Sequence, residues 1–134
     1  MLNGNGITIT LDDTTQNLID EPISYRDLLV LVNELKSAGA EAISVNGKRI
    51  INTTEIRYIS STKIVVNGEY ITSPYTIKAI GNIDNLESSM KFKGGIVEEL
   101  EARGIVSNIE TNKELIIDKY DGVIQYKYAE VVAE

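Results

Sequence analysis

Glu34-Leu35-Lys36-Ser37-Ala38-Gly39 and Glu99-Leu100-Glu101-Ala102-Arg103-Gly104 share one pattern. In each, an amphipathic helix runs out into a glycine suited to the left-handed C-cap, and a short apolar strand follows at once. A strand, helix, strand unit used twice restricts the fold sharply. Two such units interleave into an α+β domain of ferredoxin-like type, an α/β plait with two principal helices on one face of a mixed or antiparallel sheet. The first unit opens with Ile7-Thr8-Ile9-Thr10-Leu11, whose period-two alternation puts three apolar side chains on one face and the threonines on the other. Its helix is predicted over Tyr25 to Ala38, with Ser24 as N-cap, Asp27 returning a bond as third helical residue, and Leu28, Leu29, Val32 and Leu35 at helical spacing. Ala42 to Val45 is the strand after it.

Additional β-hairpins are expected between the two units. Asn46-Gly47 and Asn67-Gly68 are the dipeptides most at home in two-residue hairpin turns, because both positions tolerate positive φ. Lys48 to Ile51 is the returning arm of the first, Thr53 to Ser61 holds a further short strand, and Thr62 to Val66 with Glu69 to Ile71 form the second. After Pro74, Thr76 to Ile80 reads as a strand. Asp84 with Glu87 reads as a capping box for the second helix, Gly94-Gly95 interrupts that helix, and Ile96, Val97 and Leu100 resume its apolar face. Ile105 to Glu110 and Glu114 to Asp118 are two strands around Thr111-Asn112-Lys113, and Val123 to Val132 is a last strand or a docked extended tail. Residues 1–5 read as a flexible polar leader, either a natural start or the remnant of a truncation, and 6–132 as one domain, the number that 134 residues accommodate.

Composition removes more chemistry than any motif supplies. The chain has no histidine and no cysteine, hence no imidazole base, no thiol nucleophile, no disulfide and none of the commonest zinc ligands. A net charge of -7 repels a nucleic-acid backbone. No apolar run approaches the roughly 18–20 residues that span a bilayer. Asp12 and Asp13, just past a strand, sit where magnesium ligands are often found, yet adjacent residues leave a strand on opposite sides. Glu98 and Glu101 share a helix face, but Ile96, Val97 and Leu100 claim the buried stripe. Gly94-Gly95 before a helix, with Lys91 and Lys93 beside it, is the best local argument for an anion site, but it lacks the serine or threonine and lysine of a phosphate loop and reads as a hinge or N-cap. No catalytic residue, metal site or cofactor is assigned.

The densest positive region of this acidic chain contains Lys48, Arg49, Arg57 and Lys63. Guanidinium groups there suit a partner's carboxylate or phosphate, or pair with Glu55 or Glu69 across a sheet. Together with Tyr75, from a set of seven tyrosines, Lys48, Arg49 and Arg57 form the candidate interaction surface. The expected class is therefore a non-enzymatic interaction or structural domain. The alternative is a small-ligand-binding or divalent-metal-dependent hydrolytic domain working through its acidic residues.

Several motifs in order carry a resemblance. Gly6 to Asp13, Asn33-Glu34-Leu35, Ala38 to Gly47, Arg49-Ile50, Ile56-Arg57, Val66-Asn67-Gly68, Pro74-Tyr75, Ile77 to Gly81, Gly94 to Val97 and Tyr126 to Ala129 together resemble the bacterial family of unknown function DUF881, over about Gly4 to Val132. Tyr58 and Ser60-Ser61 depart from the small or cysteine-containing stretch and proline usual there. The resemblance implies a domain outside the cytoplasmic membrane, anchored through an upstream membrane helix and coiled coil that this chain lacks. It also implies gene neighbourhoods of cell division in Gram-positive bacteria, and a partner that is an envelope protein or a second copy of the chain. It supplies no catalytic or ligand-binding residue.

Overall fold

The computed structural model describes residues 2–13, 23–51, 56–60, 63–66 and 68–117. Along the chain these form β1 (Leu2–Asp12), α1 (Tyr25–Ser37), β2 (Ala42–Val45), β3 (Lys48–Arg49), β4 (Ile56–Ser60), β5 (Lys63–Val66) and β6 (Glu69–Ile71), then β7 (Tyr75–Ile80), α2 (Ile83–Lys91), α3 (Ile96–Ala102) and β8 (Val106–Ile117). One sheet has the order β3-β2-β7-β1-β8, and its pairs are antiparallel. Strand β7 thus separates β1 from β2, and β1 separates β7 from β8, so the β1-α1-β2 and β7-α2-α3-β8 units interleave. The α+β class read from the repeated helix ends is the class observed. Strands β4-β5-β6 form a second antiparallel sheet from the inserted hairpins.

Alternation puts Ile7, Ile9 and Leu11 opposite Ala79, Ile77 and Tyr75, and Ile43 and Val45 continue that face across β2. All eight are buried in one cluster with Leu28, Leu31, Val32 and Leu35 of α1 and Leu86, Met90, Val97 and Leu100 of α2 and α3. The capping box of α1 forms as its sequence specifies: the Ser24 hydroxyl accepts from the Asp27 amide at 3.4 Å, and Asp27 Oδ2 accepts from the Ser24 amide at 2.9 Å. Leu29, assigned to the inward face by spacing, is 36% exposed and Leu31 is fully buried in its stead. Leu35 is fully buried as well. Leu35→Ala is accordingly expected to lose about 2–5 kcal/mol in chemical denaturation, and a loss under about 0.5 kcal/mol would place that side chain outside the core.

Asn46 and Gly47 have φ of 49° and 81°, the doubly positive geometry that a two-residue turn between paired Val45 and Lys48 requires. The second helix departs from expectation at its start, while its interruption falls where the glycines put it. Its N-cap is Asn82, whose side chain accepts from the Asn85 amide at 3.0 Å, not Asp84, which lies inside the first turn where its charge still favours the helix dipole. Glu87 pairs with Lys91 at 3.1 Å instead of closing a capping box. Gly94, with φ 81°, then separates α2 from α3.

Two corrections concern β1 and β8. From Leu2 onward the expected flexible leader is strand: Leu2 lies opposite Ile117 and Gly4 opposite Leu115. The two strands expected over residues 105–118 are one, because the register shifts between Gly4 and Gly6, where β8 advances from Leu115 to Asn112 against two residues of β1. This bulge reverses which side odd-numbered residues of β8 take. Ile109 packs against the main core, whereas Leu115 and Ile117 join Ala42 and Ile80 in a separate buried cluster. The strand or tail expected over Val123 to Val132 lies outside the described residues.

Candidate interaction surfaces

Of the four residues of the expected surface, the structure places Lys48 and Arg49 on β3, Arg57 on β4 and Tyr75 in the core. Lys48 of β3 reaches Glu69 of β6, with Nζ to Oε1 at 2.9 Å, and ties the main sheet to the inserted one. With side chains 27% and 54% exposed, that pair contributes about 0.5 kcal/mol at most. Arg49 is opposite Ser44 in the register, so it takes the other side of β3, and it has an interaction partner within the chain. Arg57 is opposite Val65, in the other sheet; its side chain lies outside the described part. Tyr75 is 1% exposed and belongs to the core, a correction that follows from its parity with Ile77 and Ala79 on β7.

Burial, reinforced by the charge of Asp13, pushes the Tyr75 phenol up to about 12. An acid whose folded value is raised stabilises the fold below its unfolded value and loses that contribution as pH rises through the folded one. Tyr75 therefore favours the fold up to about pH 10 and ceases to above about 12. Ultraviolet titration against Tyr75→Phe should show one phenol ionising at this high pH; normal titration of every tyrosine would contradict the burial.

Three polar residues singled out in the sequence, Asp13, Asn46 and Asp27, brace the architecture. Asp13 Oδ2 accepts from the Ile23 amide at 2.8 Å, and the Asp13 amide donates to the Ser73 hydroxyl at 3.4 Å, bracing the start of α1 against the start of β7. Asn46 Oδ1 accepts from the Thr76 amide at 2.7 Å while its Nδ2 donates to the Thr72 carbonyl at 3.3 Å. Among the described residues there is no group of three or more acidic side chains able to hold a metal ion. Asp27 and Arg103 form a two-pronged ion pair, 3.1 Å from Nη1 to Oδ1 and 3.0 Å from Nη2 to Oδ2, joining the start of α1 to the end of α3. Burial alone would raise the Asp27 carboxyl, but the bonds from Arg103 and Ser24 together hold it below the usual carboxylate range.

A more open feature lies at the far side of the sheet. A cavity of about 310 Å³ is lined by Met90, Lys91 and Phe92 from the end of α2, by Val97, Glu98 and Glu101 from α3, and by residues 107–109 of β8. Ser107 and Ile109 share one side of β8 and Asn108 takes the other, so the cavity opens at the strand's edge. Strand β8 is last in the order and pairs with β1 alone among the described strands. Two anchored carboxylates border the opening: Glu98 Oε1 accepts from the Gly94 amide at 3.0 Å and Glu101 Oε2 accepts from the Ser107 hydroxyl. Phe92 stands 56% exposed beside them. Sequence reasoning missed this grouping. Its signal was a lone phenylalanine in Lys91-Phe92-Lys93-Gly94-Gly95, at the break between two amphipathic segments.

The fold defines a small α+β domain with a braced polar end and, among the described strands, β8 at one end of the main sheet. The chain belongs to the family described as bacterial protein of unknown function, DUF881, whose profile matches residues 1–130. It is 29% identical over 117 residues to the UPF0749 protein YlxW of Bacillus subtilis, covering 84% of this chain and 50% of that protein. YlxX of the same organism is 37% identical over 103 residues, covering 74% and 43%. The UPF0749 protein Rv1823 of Mycobacterium tuberculosis is 39% identical over 90 residues, 58% of this chain and 29% of that protein. The chain thus spans half or less of the length of these relatives. A crystal structure of an uncharacterized conserved protein from Mycobacterium tuberculosis matches with a TM-score of 0.81 at 25% identity, covering 96% of this chain and 88% of that one. No helix among the described residues is long and apolar enough to cross a membrane.

Proposed function

We propose that this chain is an extracytoplasmic protein-interaction domain of a membrane-anchored bacterial protein that serves the envelope or cell division. Its partner is an envelope protein or a second anchored copy. The observation that carries the interaction reading is β8: 12 residues long, at the end of the sheet order, beside a cavity with an exposed aromatic rim. Exposed sheet edges are templates for another strand unless a structure blunts them. The opposite end of the sheet is blunted, since β3 has two residues and its Lys48 is engaged with Glu69. Placement outside the membrane rests on the family resemblance and on relatives about twice as long.

Because the chain has no cysteine, one introduced at exposed Ser88 is unique within it. In the full-length protein in living cells, a membrane-impermeant maleimide should label Ser88→Cys before lysis; labelling only after permeabilisation overturns the placement. A photocrosslinker at Asn108 should capture a protein that the same group at Ser88 does not. Identical adducts from both sites, or none from either, overturn the interaction reading.

A further inference from the structure

Resting on that reading, we infer that the β8 edge accepts an extended, basic segment of a partner protein, which pairs with residues 106–112 and sets a lysine or arginine into the cavity between β8 and α3. Three observations of different kinds converge on this occupant. The first is backbone: an antiparallel strand added beside β8 extends the five-stranded sheet, with main-chain hydrogen bonds supplying affinity and alternate side chains supplying selectivity. The second is shape. The cavity lies where an inward-pointing side chain of an added strand would arrive, over a floor of buried Met90 and Val97 and half-buried Ile109. A lysine or arginine stem lies comfortably on apolar surface with its charged head at a polar mouth, and the exposed Phe92 ring favours a cation near its face.

The third is charge. Glu98 and Glu101 border the cavity, and Lys91, the one basic residue among those lining it, already pairs with Glu87. The bonds from Gly94 and Ser107 hold one oxygen of each carboxylate, which orients the group without neutralising it. Glu110 and Glu114 are exposed further along the same strand, against a single lysine, Lys113. An acidic or neutral strand gains the backbone bonds here and nothing more; a basic strand gains the carboxylates too. A second copy of the chain would offer this edge another acidic strand, with exposed Glu110 and Glu114 against the single Lys113, which disfavours the self-paired form.

The test uses the chain described here and two fluorescent nonapeptides, one alternating lysine with valine and threonine, the other carrying glutamate at each lysine position. Anisotropy should show saturable binding of the lysine peptide, weakened about tenfold by Glu98→Gln with Glu101→Gln and by raising salt. Hydrogen exchange should show slowed amides at residues 106–112 on binding, with the rest of the sheet unchanged. Both glutamines are isosteric and exposed, so circular dichroism and the unfolding midpoint should match the parent protein. If both peptides slow β8 exchange equally, or the double variant binds the lysine peptide unchanged, the basic occupant is wrong while the edge reading stands. If no peptide alters β8, both are wrong. If β8 exchange slows with protein concentration alone, alongside a dimer mass by light scattering, the edge belongs to a second copy and the basic occupant is overturned.

Discussion

Asp27→Ala is expected to lower the unfolding free energy by about 3–5 kcal/mol, among the largest losses available to a single side chain here. The substitution leaves the Arg103 guanidinium, 19% exposed, without the carboxylate that receives both its prongs, and it also opens the capping box of α1. Removing one member of a largely buried pair costs far more than the pair is worth, so a double variant with apolar residues of similar size at both positions should be closer to the parent than either single change. Urea denaturation of the four proteins closes the cycle; a single-variant loss under about 1 kcal/mol would show that the fold does not depend on the pairing of Asp27 with Arg103. The pair also dictates an acid response. A carboxyl held below its usual range stabilises the fold above its unfolded value and loses that contribution as pH falls through the folded one. The advantage over Asp27→Asn should therefore be full above about pH 4 and shrink steadily below it.

Gly6→Val should prevent folding or lose about 4–5 kcal/mol, for a reason that involves no lost contact. A Cβ at Gly6 would overlap the carbonyl oxygen of Ala79 and stand 3.0 Å from the Cα of Ile80, both in β7. Backbone cannot step aside as a flexible side chain can. The overlap falls in the middle of the sheet beside the bulge, so β1 would have to separate from β7. Gly4→Ala is the informative counterpart, since its Cβ meets only Cγ2 of Ile80, at 3.2 Å. Comparable losses at the two positions, read from thermal unfolding, would show that strand propensity and not backbone collision governs this region.

What could be read in the residues was whatever depends on local period. The alternation at Ile7 to Leu11, the box of Ser24 and Asp27, the Asn46-Gly47 turn and the repeated helix end each involve a few neighbours, and each appears where the pattern put it. The failures share a different cause. Tyr75 passed for a surface aromatic because its place on β7 depends on pairing with Leu11, far away in sequence. β8 looked like two strands because a bulge is defined only against a partner, here Gly4 and Gly6. The cavity beside β8 draws on three elements, and no single segment carries its signature.

Strand β1 lies between β7 and β8, and the Thr8 hydroxyl donates to an acceptor on Asn112, 104 residues away. Contacts so distant along the chain make closure a late event in folding. A chain emerging from its N-terminus presents Ile7, Ile9 and Leu11 first and supplies their flanking strands last, so the centre of the sheet waits for residues up to 117. Both edges of a β-branched segment stand open until β7 arrives, and the edge meant for β8 stands open longer still, so what guards the nascent domain against mispairing is the pace at which its own C-terminal half arrives.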